Sequence, residues 1–364
     1  MKKYFLAVAS FFIYSHISLG QVYPGQMDST FVPVRSHHYD PELTFDFCVN
    51  EPAWSNQAGI HSAFGSTDRL YFRKEVPVNH DNDLSSSYST TVWRGERANA
   101  QILVWSSEAL EQVRVSTQDL RSAEGNIIPK DRITFELVRY VLSNYPYAEK
   151  KAICGESPYK SGFLMPDRFE TLDRFDLPSQ TTRPVWMMVD VPRGTAPGTY
   201  KGKVEVRAKG KAPQLLNLEI VVQNQLLPYP KDWKYRLDLW QNPWAVAWYN
   251  HVEPWSPEHK MLLKQHLKHY ADAGGTYITT YGVHSPWSDN SYMIEGGMIE
   301  WIKKADGTWA FDYKIFDEYV ELAMECGIDE AITLYTPIPW GFRHRYKDEA
   351  TGDYSYINWA PSSE

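Results

Sequence analysis

Trp240, Gln241, Tyr281, His284, Trp287, Tyr335 and Trp340 are five flat rings, an amide and an imidazole, each placed where a short apolar run gives way to a loop. A flat ring can take the C–H face of a pyranose. An amide or an imidazole can bond hydroxyls or an acetamido group. Taken singly, none of them compels that reading. Buried aromatics mostly serve packing, and the rings clustered between Tyr235 and Trp255 could equally seal a junction between two domains. His284 lies in a Ser/Pro-rich loop, where a histidine is more often an ordinary polar residue. The residues gain weight as a set, if the fold brings them to one rim.

The elements that must position them follow from periodicity. Tyr235 to Trp240 alternates, with Tyr235, Leu237 and Leu239 on one side, and reads as a strand. Ser256-Pro257-Glu258 is a helix start: a Ser cap, a Pro in the first turn and an acid near the positive end of the dipole. Leu263, Leu267 and Tyr270 continue it at helical spacing, and Gly274-Gly275 stops it. Thr276 to Tyr281 is a second strand. A long polar and aromatic link leads to Asp312, after which Phe316, Tyr319, Val320 and Ala323 mark a second helix ended by Gly327. Ala331 to Tyr335 is a third strand. Strands joined by helical crossovers are parallel, and function gathers where such strands end. A closed barrel needs eight strands. Residues 231–364 therefore read as an incomplete (β/α)8 barrel, its first three strands only, and the chain as a fragment of a longer protein.

Residues 21–230 have a different texture. Thr91 to Trp105 suggests two strands about a turn at Gly95, while Asn79 to Thr90 reads as an exposed loop. Ile133 to Val141, Val185 to Val191, Tyr200 to Val206 and Leu216 to Val222 are further strands. Many short strands with turn signals and no helical period predict an antiparallel all-β sandwich ahead of the α/β part. Gly95-Glu96-Arg97 sets an acid beside a base at a turn, which an exposed ion pair explains better than catalysis. Asp167 and Asp190 have no partner visible in the sequence.

Residues 1–20 read as an export signal: Lys2 and Lys3, an apolar stretch to Ile17, then Ser18-Leu19-Gly20 before Gln21. The mature protein is thereby expected in the periplasm or outside the cell, with no membrane span. A net charge of -8 without a basic block argues against nucleic acid as a partner. An aromatic share of 15% leans toward carbohydrate, though β-rich domains favour aromatics anyway. Of the three cysteines, Cys48 and Cys154 could pair, and Cys326 reads as a small buried residue. No motif implies a metal or a cofactor.

The second half resembles glycoside hydrolase family 123, the β-N-acetylgalactosaminidases and their relatives. The matching stretches are LDLWQNPWAVAWYN (237–250), WSPEH (255–259), ADAGG (271–275), MIEWIKKADGTWAFDYKIFDEYVE (298–321), GIDEAITLYTPIPWG (327–341) and YKDEATG (346–352). The first domain resembles, more loosely, the sandwich that precedes the barrel in that family. The resemblance implies a glycan substrate and retaining hydrolysis of terminal β-linked N-acetylgalactosamine. In that scheme the substrate's own acetamido oxygen attacks the anomeric carbon, assisted by an adjacent Asp and Glu. It places that pair after the next barrel strand, beyond Glu364. Asp329-Glu330 stands at the opposite end of the strands, and Asp348-Glu349 in a charged, solvated run. Neither is expected to be catalytic, and no catalytic residue is assigned. A non-catalytic carbohydrate-binding protein of the same architecture is the alternative.

Overall fold

Alternation in Gly198–Arg207 buries Tyr200, Val204 and Val206 completely while Lys201, Lys203 and Arg207 stay exposed. The same period builds most of the described residues up to Leu227. The computed structural model describes residues 27–28, 42–43, 51–77, 84–143, 163–283, 297–335, 338 and 342–358, and the chain divides between Leu227 and Pro228 into two units. The expected export signal, Cys48, Cys154, His284, Trp287 and Trp340 lie outside the described residues. Among those residues, no helix is long and apolar enough to cross a membrane.

In chain order the first unit holds β1 (Met27–Asp28), β2 (Glu42–Leu43), β3 (His61–Gly65), β4 (Ser87–Arg94), β5 (Arg97–Ser106), β6 (Leu110–Thr117), β7 (Leu120–Arg121) and β8 (Ile127–Ile128). It continues with β9 (Ile133–Ser143), β10 (Phe163–Glu170), β11 (Phe175–Leu177), β12 (Thr181–Asp190), β13 (Gly198–Arg207) and β14 (Gln214–Leu226). Five strands form one sheet in the order β10-β9-β12-β5-β3, and a seven-stranded sheet runs β11-β6-β13-β14-β4 with β7 and β8 beside it. Ile102, Val104 and Met187 of the first sheet share one buried cluster with Val204, Leu218 and Ile220 of the second. Two sheets closed over a common core make a sandwich.

Two expectations are corrected here. The sandwich is not wholly antiparallel, because β4 runs parallel to β14. The strands flanking Gly95 are not partners either: β4 joins β14, whereas β5 pairs with β12 and β3 in the other sheet. Strand existence is written in local periodicity, but partner choice is made by the core. The expected loop up to Thr90 also overruns the first half of β4, whose Ser and Thr residues line an exposed sheet edge. Glu96 accepts the Trp93 backbone N–H at 2.7 Å, and Arg97 lies 2.6 Å from Asp190, both exposed. That acid–base neighbourhood is turn chemistry. A different pair is deeply buried: Arg139 of β9 and Glu170 of β10, with Nη1 2.8 Å from Oε2.

The second unit contains α1 (Pro243–Tyr249), α2 (Pro257–Asp272), β15 (Tyr277–Tyr281), β16 (Glu300–Lys303), β17 (Trp309–Asp312), α3 (Lys314–Glu325), β18 (Ala331–Tyr335), β19 (Arg343–Asp348) and β20 (Tyr354–Asn358). Ser256 caps α2, its hydroxyl accepting the His259 N–H at 3.2 Å. Leu263, Leu267 and Tyr270 are the buried face of α2; Tyr319 and Ala323 are that of α3. β15 and β18 are parallel and in register from Tyr277↔Ala331 to Tyr281↔Tyr335.

The strand expected at Tyr235 to Trp240 shrinks to a single parallel bridge between Leu237 and Gly275. Tyr270 supplies what the ladder lacks. Its hydroxyl lies 2.7 Å from the Leu237 carbonyl and 2.9 Å from that of Tyr277, and it accepts the Leu239 N–H at 3.3 Å. Glycine at 275 is what lets that ring lie so close, since a Cβ there would fall 2.3 Å from it.

The last part of the polar link, from Glu300 to Asp312, and the charged run after Arg343 also fold. They make a small sheet in the order β17-β16-β19-β20. Asp306-Gly307 turns the first hairpin, with Gly307 at φ +86° and the Asp306 carboxylate accepting the Thr308 N–H and hydroxyl. An Asp-Gly pair flanked by aromatic residues is a hairpin signal that the helical count hid.

Candidate active site

Because side chains alternate along a strand, Thr279 and Tyr281 share a face of β15, as Thr333 and Tyr335 do on β18. The chain from Leu237 brings Asp238 and Trp240 to that same side. The result has two levels. In the lower one, Asp238 Oδ1 accepts the Thr279 hydroxyl and Oδ2 that of Thr333, each at 2.8 Å, so one carboxylate ties three parallel segments together. In the upper one, the rings of Trp240 and Tyr335 meet edge to face at 4.6 Å, and Tyr281 and Tyr335 at 5.9 Å.

Trp240, Gln241, Tyr281 and Tyr335 thus stand together at the carboxyl end of the parallel strands. They do not stand there equally. Trp240 is 54% exposed and Tyr335 partly so, whereas Tyr281 is fully buried and donates its hydroxyl to the Gln241 carbonyl at 2.5 Å. Burial raises the Tyr281 phenol above its usual range, so it stays a neutral donor. Tyr281 holds the rim; Trp240 and Tyr335 face out from it. Asp238, Thr279 and Thr333 were not singled out from the sequence, although each sits two residues before one of these rings. That spacing was the available signal.

Behind the rim, α1 and the loop before α2 are fixed by one imidazole. The Trp255 N–H donates to His259 Nδ1 at 2.8 Å, which leaves Nε2–H to donate to the Pro243 carbonyl, also at 2.8 Å. The pairing holds Trp255 in the left-handed region, at φ +66°, with its ring 5.7 Å from that of Trp244. Trp244 in turn packs on Tyr281 at 5.8 Å. His259 is completely buried, and burial pushes its pKa below the ordinary histidine value. The unfolded chain then takes up a proton that the folded chain resists, so stability is full above about pH 6.5 and falls as the pH drops below it. Urea midpoints measured from pH 7.5 to pH 5 should decline with acidification, and His259→Gln should flatten that decline. An unchanged slope in the variant would count against this latch.

The two Asp-Glu pairs are elsewhere. Glu330 accepts the Thr276 hydroxyl at 2.8 Å and that of Tyr277 at 3.3 Å, at the amino ends of β15 and β18. Glu349 pairs with Lys304 at 2.8 Å in the hairpin sheet. Cys326 is a buried free thiol whose Sγ lies 3.6 Å from the Lys264 carbonyl.

Residues 240–364 match the glycoside hydrolase 123 catalytic domain, and residues 64–208 match the glycoside hydrolase 123 N-terminal domain. Together they span well over half of the chain. The chain belongs to glycoside hydrolase family 123. A solved family 123 glycoside hydrolase from Clostridium perfringens, studied for glycolipid glycan hydrolysis, is 25% identical with a TM-score of 0.74. The match covers 84% of this chain and 53% of that one, so the chain spans about half the length of that family 123 enzyme. The Salmonella SafD adhesin (10% identity, TM-score 0.23, 46% of this chain and 99% of that one) and a Niemann-Pick type C2 protein from the Japanese carpenter ant (9%, 0.22, 46% and 98%) are too distant to bear on the fold. No curated protein matches the chain. The first residue of the family 123 catalytic match is Trp240, the exposed ring of the rim.

Proposed function

We propose that the protein to which this chain belongs is an exported glycoside hydrolase that removes terminal β-linked N-acetylgalactosamine from glycans. The observation that carries the reading is the meeting of Trp240 and Tyr335 at 4.6 Å, at the carboxyl end of the parallel strands, in a family 123 chain. In this reading the second unit contributes the opening strands of a (β/α)8 barrel. The exposed Ile332 and Leu334, on the face of β18 away from the rings, suit a sheet that helices cover in the complete fold. The rim binds the sugar by stacking and by polar groups. The reaction is the substrate-assisted one, in which the acetamido oxygen closes on the anomeric carbon and an Asp-Glu pair orients it and shuttles the proton. The C. perfringens relative, studied for glycolipid glycan hydrolysis, supports the choice of a glycan substrate.

The test is release of the chromophore from an aryl β-N-acetylgalactosaminide by the complete protein. Turnover of some other glycoside, with none of this one, would overturn the specificity. Trp240→Ala should lower kcat/KM about tenfold, on the order of what one lost ring contact is worth. A second reading is a carbohydrate-binding protein without turnover, since the meeting of Trp240 and Tyr335 could hold a sugar by itself. It predicts retention of the sugar on the complete protein with no product.

A further inference from the structure

A cavity of about 430 Å³ lies apart from the ring layer, in the same unit. Its walls come from the starts of α2 and α3, from Gly297 to Ile299, and from the hairpin sheet. That volume falls within the usual range for small-molecule sites. The wall is wired to the rim. Met298 N–H donates to the Tyr281 carbonyl at 2.5 Å and Ile299 N–H to that of Gly282 at 3.0 Å. The close approach needs Gly297, since a Cβ there would fall 2.5 Å from the Gly282 carbonyl oxygen. Trp244 lines the cavity and touches Tyr281.

The lining has a definite chemistry. Trp255, Trp301 and Tyr346 bring rings to it. Four of its charged groups are held in place: Lys260 pairs with Glu318 at 3.3 Å, Glu300 accepts the Tyr354 hydroxyl at 2.5 Å, and the Arg345 guanidinium lies 4.0 Å over the Tyr354 ring. Four carboxylates stand against three cations. That near balance gives no field to hold an anion or a cation, and among the described residues no acidic cluster could hold a metal. Rings beside oriented donors and acceptors, with acids and bases nearly in balance, suit a neutral polyhydroxylated ring.

We infer that this cavity is a second sugar site, one that binds a neutral hexopyranose unit apart from the ring layer formed by Trp240 and Tyr335. The choice of a sugar rests on the glycoside hydrolase reading; the existence of a site rests on the cavity. A glycosidase with such a site would hold its glycan by a sugar other than the one it removes.

The probes are methyl β-galactopyranoside, methyl β-glucopyranoside and methyl α-mannopyranoside, titrated into the complete protein and followed by saturation-transfer NMR. At least one should bind. Its Kd should rise at least tenfold in Glu300→Gln and in Lys260→Met, with thermal melting confirming that both variants fold. Trp240→Ala should leave that Kd within about twofold. Binding by none of the three, or binding lost in Trp240→Ala and kept in the two cavity variants, would overturn the inference. Turnover assays on the complete protein separate the claims. Cleavage without cavity binding defeats only the second site, and cavity binding without cleavage defeats only the proposed reaction.

Discussion

Tyr281→Ala is expected to destabilise the second unit by about 3–5 kcal/mol, the usual cost of deleting a large buried ring. Tyr281 is fully buried and touches Trp244 on one side and Tyr335 on the other. The truncation leaves a void among them and orphans the Gln241 carbonyl that its hydroxyl serves. Amide hydrogen exchange should show it as lost protection in β15 and β18. Tyr281→Phe keeps the ring and removes only the bond, so it should cost about 1 kcal/mol and loosen Gln241 while leaving the strands protected. If the two variants lose protection equally, packing of the ring is not what holds the rim.

Glu170→Ala is the counterpart in the sandwich, again with an expected loss of about 3–5 kcal/mol. Arg139 and Glu170 expose only 3% and 2% of their side chains, so removal of the acid takes a carboxylate from beside a guanidinium where water does not reach. With a urea m value of about 2 kcal/mol per M, the midpoint should fall by roughly 2 M. Replacing both partners, with Arg139→Met and Glu170→Leu, should recover most of that loss, because the double change removes the buried cation together with its carboxylate. A double variant as weak as the single one would show that the pair contributes through something other than mutual neutralisation.

How much of this was legible beforehand differs by level. Ser256, Pro257 and Gly274 bound α2 by local chemistry alone: a hydroxyl for a free N–H, a fixed φ, and a backbone without Cβ at φ +91°. β18 falls on the apolar run at 331–335, since period and length are local properties. The hairpin sheet was missed because its strands are short, charged and set within a stretch read as linker, although Asp306-Gly307 announced a turn. Asp238 was passed over because one carboxylate in an alternating run looks like any solvated acid until Thr279 and Thr333 are brought beside it.

The amino-acid order by itself determined where α2, α3, β15 and β18 lie, where α2 begins and ends, and kinship with family 123, because each of these is encoded within a few neighbours or by collinear match. Tertiary structure alone decided that β4 and β5 part to different sheets, and that Tyr281 is sealed while Trp240 is open. It also decided that Asp238 serves as a tie between segments. These are outcomes of burial among residues 40 to 130 positions apart in the chain, where the competition for one apolar interior, rather than any local preference, fixes each partner.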